Sequence, residues 1–337
     1  KLFGMTAGFI ALALYSFEPN ILAHGILATT DLGFVFFATL AIYFYWRFFN
    51  KTTTTNLILA SITMSLAQVS KYTALFLWPA YLTIILTTTK KQKIYHLKSL
   101  IIIAIISILI INTAYLFQGT FTPIKKSMQT DTTLNKNFQK TPNNKIINFI
   151  TEKIPSPLPY HYIKGLAFVT YEGAKENTNI ILGKEYPKGI WWYYFVAFLF
   201  KTTIPFIILT ISSVLFIRKN NENWQFLLIP VVTIFVILSF MTKQAGIRYV
   251  LIIFPLLCIW IAGQISQTKL FKKKLYKFVI ILLITLHAIS SLNQFPNYLS
   301  YYNEFIGAKK GWKYFTDSNT DWGQDFDKLL TYVKNNP

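Results

Sequence analysis

Asp31 stands where a polar loop containing Glu18, Pro19, Asn20, His24, Gly25, Thr29 and Thr30 gives way to an apolar run. An acid in that place has two readings. It caps the coming helix, where free backbone N–H groups and the dipole favour a carboxylate. Alternatively, held at the mouth of an apolar bundle, it orients an acceptor or a cation. His24 lies seven positions earlier, about one helical repeat. No His-Glu-x-x-His or comparable ligand spacing accompanies it, so a metal site is weakly supported and the sequence names no metal ligand.

Three basic residues stand out by position. Lys71 occupies the short turn Gln68–Thr73 between two apolar segments. It is either a snorkelling interfacial lysine or an ammonium placed to hold a phosphate. Lys201 falls about ten residues after the aromatic run Trp191–Tyr194, inside an apolar stretch that continues to Thr203 and Pro205. A charge at membrane depth costs about 2.5–3.5 kcal/mol on insertion scales and calls for a partner or a function. Pro205 frees a carbonyl that this lysine could use. The other reading puts the residues before Lys201 in the interface, with the span beginning later. Arg248, just before Tyr249, offers a guanidinium fork suited to two phosphate oxygens, although an arginine at a headgroup boundary needs no such role. His287, inside the last apolar run, reads as a helix-packing hydrogen bonder.

Near the C-terminal end, Asp317, Asn319, Asp321 and Gly323 resemble a calcium loop superficially. Trp322 at the sixth place and Lys328 at the twelfth break that pattern. A capped turn fits better. Asp321 with Gln324 three residues on suggests a helix start, and Phe326, Leu329, Leu330 and Val333 give that helix an apolar stripe.

The elements that must position these groups are set by composition. The chain has 337 residues, 53% hydrophobic, 17% aromatic and only 14% charged. That is more apolar surface than a soluble domain of this length buries, and it points to lipid as solvent. Apolar runs of roughly membrane-crossing length recur throughout, unlike the single short run of a signal peptide. They lie at Leu2–Phe17, Asp31–Phe48, Leu57–Ser70, Thr73–Leu86, Leu100–Phe117, Trp191–Ile217, Trp224–Met241, Tyr249–Ile265 and Phe278–Leu292. The expected fold class is therefore an all-α polytopic membrane protein with about nine transmembrane helices. Its parts are membrane helices over 1–117 with an outer loop at 18–31, an extracytoplasmic loop over 118–190, membrane helices over 191–292 and an extracytoplasmic tail over 293–337. Short interfacial helices are expected within the loop at Ile146–Ile154 and Tyr160–Tyr171. A lone Cys258 rules out an internal disulfide.

The net charge of +20 would suggest nucleic acid in a soluble protein. Here the basic residues gather in Arg47–Thr55, in Lys90, Lys91, Lys93 and Lys98, in Arg218 and Lys219, and in Lys269–Lys277. These segments share one side of the consecutive spans, the cytoplasmic side, so membrane lipids replace nucleic acid as the partner. Of the 13 acidic residues only Glu222 lies among them. Acidic chemistry is expected outside.

The pattern Pro19, Asn20, Ala23, His24, Gly25, Thr29, Thr30, Asp31 resembles the dolichyl-phosphate-mannose protein mannosyltransferase family of the GT-C superfamily. So do Ser70–Tyr72, Trp191–Pro205, Arg248–Pro255, and the tail with Asn297, Tyr298, Tyr302, Asn303, Glu304 and Asp317–Gln324. The resemblance implies a glycosyltransferase that takes sugar from a polyprenyl-phosphate donor and passes it to an acceptor at the outer face; the sequence itself names no cofactor and leaves the need for a divalent metal open. It makes Asp31 a second acidic position, Lys71, Lys201 and Arg248 carrier-phosphate ligands, and His24, Tyr249, Asp317, Asn319, Asp321 and Gln324 the substrate region. The family's principal acidic motif is expected upstream of Lys1, and the chain reads as a fragment at both ends. A bacterial inner membrane is preferred because the inter-span loops are short. The rival reading, a transporter or flippase of lipid-linked sugars, would show paired broken helices in repeated halves, and no repeat is visible.

Overall fold

The computed structural model describes residues 1–88, 93–129, 151–174, 179–215 and 224–336. Lys90, Lys91, Arg218, Lys219, Glu222 and residues 146–150 of the first expected interfacial helix lie outside them. Helix α1 spans Met5–Ser16, α2 Pro19–Gly25, α3 Asp31–Asn50 and α4 Thr54–Ser70. A 3-10 turn at Tyr72–Phe76 leads into α5, Leu77–Thr87, followed by α6, Lys93–Ala114. Next come α7, Ile124–Gln129, and α8, Tyr160–Ala174. A hairpin then pairs β1, Ile180–Ile181, antiparallel with β2, Lys184–Glu185. Then follow α9, Tyr193–Lys201, α10, Ile204–Leu215, α11, Gln225–Ser239, α12, Ile253–Gln267, α13, Lys274–Leu292, and α14, Phe326–Asn335.

Among the described residues, α3, α6 and α13 are long and apolar enough to cross a membrane, with mean hydropathies of 1.5, 2.4 and 2.0. Helices α1, α10, α11 and α12 and the segment Tyr72–Thr87 are shorter apolar helices. The expected single span Trp191–Ile217 is instead broken at Thr202, whose ψ of 142° is extended. Pro205 is the cause. It cannot donate to the carbonyl four residues back, and it sits comfortably near the start of a new helix. That start is secured by Thr203, whose Oγ1 accepts from Phe206 N at 3.3 Å.

The chain forms two compact units, one from Lys1–Leu32 with Asn177–Pro337, the other from Gly33–Glu176. In the second unit α4 packs on α6 through small residues, as helices do where close backbone approach replaces a hydrophobic drive. Ala60, Ser61, Met64 and Ala67 are buried there. Ser107 Oγ meets Ser65 Oγ and Gln68 Nε2, each at 3.1 Å, so the polar groups along α4 find partners in α6. Tyr45 stacks on Tyr81 with centroids 4.0 Å apart, and His96 stacks on Phe49 at the same distance. Gly165 of α8 admits the Tyr72 hydroxyl, which would lie 2.1 Å from a Cβ there and donates to Tyr162 O at 3.1 Å.

In the first unit α1 packs along α12, with Phe3 seated against Gly263 where a Cβ would come within 2.7 Å of the ring. His287 of α13 confirms the packing expectation. Its Nε2 lies 2.9 Å from Leu14 O, a carbonyl at the frayed end of α1, and its Nδ1 lies 2.6 Å from Thr203 Oγ1. A carbonyl can only accept, so Nε2 carries the proton, and in the neutral ring Nδ1 accepts from the threonine.

The end of α9 is the tightest knot in the unit. A helix leaves its last carbonyls without partners, and here two asparagines from remote segments take them. Asn303 Nδ2 donates to Leu199 O at 2.5 Å and Thr202 O at 3.1 Å, while Asn303 N donates to Phe200 O at 2.9 Å. Asn20 Nδ2 donates to Lys201 O at 2.7 Å. This last carbonyl is the one Pro205 frees, so the lysine does not use it. The Lys201 ammonium, 1% exposed, reaches instead to Leu299 O at 2.7 Å and Asn319 O at 2.5 Å, with the Tyr302 ring centroid 4.5 Å away.

Replacing Lys201 by Met keeps the volume but strips both carbonyls of their donor. Each buried unsatisfied group costs about 1–3 kcal/mol. We expect a Lys201→Met variant in detergent to unfold at markedly lower temperature than wild type, measured by intrinsic fluorescence on heating. An unchanged midpoint would mean that the ammonium is not holding this knot.

Candidate functional site

Helix α2 starts because Pro19 occupies its first position and Glu18 caps it. Glu18 Oε1 accepts from Asn20 N at 3.3 Å and Asn20 Nδ2 at 2.7 Å. The same amide that caps α9 is thus held by Glu18. The carboxyl is fully buried. Burial pushes it up to about 8 from an ordinary 4.5, against the lowering effect of its two Asn20 hydrogen bonds. Two turns on, buried His24 presents its ring edge-on to Trp322, with centroids 6.0 Å apart at 80°.

Asp31 begins α3 with its N–H 3.4 Å from Thr29 Oγ1, and it is 3% exposed. Its Oδ2 lies 3.8 Å from Arg248 Nη1. This is an ion-pair distance, longer than a hydrogen bond. Arg248 belongs to a 3-10 turn at Ile247–Val250, introduced by Gly246 at φ +79°. Glycine is required there twice over: the left-handed φ excludes most side chains, and a Cβ would come within 3.1 Å of Asn319 Oδ1. That same Oδ1 accepts from Ile247 N at 2.9 Å, while Asn319 Nδ2 donates to Tyr193 OH at 2.9 Å. Asn319 therefore positions the Arg248 turn with its side chain and receives Lys201 with its carbonyl. The Arg248 Nε donates to Ala245 O at 3.3 Å, and the guanidinium lies over the Trp322 ring, 4.3 Å from the centroid, and 5.4 Å from that of Tyr249.

The tail supplies Trp322 from a turn that braces itself. Asp321 Oδ1 accepts from Gly323 N at 2.9 Å and Gln324 Oε1 accepts from Trp322 N at 2.7 Å. The expected helix start at Asp321 is corrected accordingly. These side chains close a turn, Gly323 takes φ +76°, and the helix begins at Phe326. Its apolar stripe, Phe326, Leu329, Leu330 and Val333, is exposed. Trp322 itself rests against Ala23, Tyr298 and Leu299.

The fold thus brings His24, Asp31, Arg248, Tyr249 and Trp322 together in the first unit. Asn319, Asp321 and Gln324 serve this group from behind, and Asp317, exposed at φ +55°, accepts through its carbonyl from Thr320 N and Asp321 N. The Lys201 ammonium is taken up by Leu299 O and Asn319 O. Lys71, which ends α4 in extended conformation, belongs to the second unit. Among the described residues no three His, Cys, Asp or Glu side chains form a metal-holding set. Trp322 is a member of the group that residue types and spacing do not single out, and Glu18 supports it through the start of α2. An aromatic ring between Asp321 and Gly323, and an acid immediately before Pro19, were the available signals.

The Glu18 carboxyl gives the unit a pH dependence. Between about 4.5 and about 8 the folded chain retains a proton that the unfolded chain releases, so stability falls as pH rises through that window. Thermal midpoints in detergent should drop from pH about 5 to about 8 in wild type and change less in Glu18→Gln. Parallel curves for the two proteins would refute the assignment.

No curated protein and no solved structure matches the chain. The family model described as dolichyl-phosphate-mannose-protein mannosyltransferase matches residues 1–111; with the apolar helices, that match makes this chain an integral membrane protein and points to a mannosyltransferase-like glycosyltransferase of the GT-C type.

Proposed function

We propose that this chain moves a sugar from a polyprenyl-phosphate carrier to an acceptor at the extracytoplasmic face of a bacterial inner membrane, within a nine-span bundle. The observation that carries the reading is the buried Asp31 carboxylate facing the Arg248 guanidinium at the start of a membrane-crossing helix. In the transfer, an acceptor atom bonds to the anomeric carbon as the bond from that carbon to the phosphate oxygen breaks. The carrier phosphate leaves with the added negative charge, and the acceptor gives up its proton to a carboxylate. Arg248, with its side chain 22% exposed, neutralises the leaving phosphate, and Asp31 orients the acceptor as a secondary acid. His24 and Tyr249 border the same mouth. Asp317, Asn319, Asp321 and Gln324 shape its tail side. Lys201 serves in this reading as the support of the Arg248 turn, and Lys71 is a separate candidate for carrier phosphate.

Purified full-length protein supplied with radiolabelled polyprenyl-phosphate sugars and a panel of protein, lipid and glycan acceptors should transfer label. Removing a hydrogen-bonded charge costs about 1.5–3 kcal/mol. Arg248→Ala and Asp31→Asn should therefore each slow transfer by about tenfold to a hundredfold. Wild-type rates in Asp31→Asn would take that residue out of the chemistry, and Lys71→Ala tests the second-unit candidate by itself.

A further inference from the structure

A guanidinium on a four-bond stem samples many rotamers, and it binds an anion well only when its plane is set beforehand. The plane of Arg248 is held from three directions. Ala245 O takes the Nε edge, Asp31 Oδ2 faces Nη1, and Cζ lies over the indole ring of Trp322. A cation–π contact is made to the ring and consumes no N–H bond, and N–H bonds are what a phosphate oxygen would meet. The indole in turn is braced. Its backbone N–H donates to Gln324 and that of the next residue, Gly323, donates to Asp321, while its ring is packed on the cluster of Ala23, Tyr298 and Leu299 and flanked by His24.

We propose that Trp322 is the positioning residue for the anion-binding arginine, so that the tail turn Asp321–Gln324 completes the carrier-phosphate site. This rests on the reading that Arg248 takes that phosphate. The ring has two separable properties, its bulk against Leu299 and its π face under the guanidinium, and two substitutions divide them. Trp322→Phe keeps a π face, and Trp322→Leu keeps apolar bulk alone.

The test is equilibrium binding of a fluorescent long-chain polyprenyl monophosphate to full-length protein in detergent, with the matching polyprenol, which lacks the phosphate, as the second probe. Trp322→Phe should stay within about threefold of wild type, and Trp322→Leu should bind the monophosphate about fivefold to twentyfold more weakly. Polyprenol affinity should be the same in all variants. Arg248→Ala combined with Trp322→Leu should be no weaker than Arg248→Ala alone, because the two residues act through one guanidinium. Wild-type affinity in Trp322→Leu, an equal loss for polyprenol, or additive losses in the double variant would overturn the proposal while leaving the phosphate reading intact. Wild-type affinity in Arg248→Ala would overturn both. Should Trp322→Leu fail to fold, Trp322→Met makes the same separation of bulk from π face.

Discussion

Everything in the first unit depends on how the broken end of α9 is satisfied. In an apolar setting an unpaired backbone carbonyl costs several kcal/mol, so irregular backbone survives only where other protein groups supply the missing partners. Here four successive carbonyls, from Leu199 to Thr202, are met by Asn20 and Asn303. The side chain of Lys201 at the same break supplies the donors for Leu299 and Asn319. The exchange is reciprocal. The first loop and the tail complete the helix end, and the helix end fixes the first loop and the tail.

The candidate site follows from that exchange. Asn20 links the helix end to Glu18 and hence to the start of α2, which carries His24. Asn319 links it to the Gly246 turn, which carries Arg248. The members of the site are thus drawn from segments more than two hundred residues apart in sequence, with α2 and the Arg248 turn each tied by hydrogen bonds to the end of α9. Rigid support of this kind is what a group needs if it is to meet a charge that develops during a reaction.

Much of this could be read from the chain. Apolar runs located the helices because the helical period and lipid solvation are local properties. Asp31 was visible as an acid opening a helix, and His287 as a polar group inside one. The break at Thr202 was not resolved, because Pro205 is equally compatible with a kink inside one helix and with the first turn of another. What decides between them is Asn20 and Asn303, residues whose amide groups say nothing about their partners until the tertiary fold is known. The same applies to the tail. Asp321 and Gln324 have the spacing of a helix cap and also the chemistry of a side-chain-braced turn, and Gly323 at positive φ favours the second. Trp322 carries no spacing signal of its own, because a ring between Asp321 and Gly323 shows its cation partner only once the fold brings Arg248 beside it.

The distance along the chain between Asn20 and the segments that complete its knot has a meaning for biosynthesis. At roughly 5–20 residues per second, the loop bearing Glu18 and Asn20 is made roughly fifteen seconds to a minute before Asn303 and Asn319 leave the ribosome. Through that interval the first loop exists beside α1 without the tail that packs on it, and Leu14 O without the histidine that donates to it. The knot at the end of α9 therefore closes only after Asn303 and Asn319 have been made.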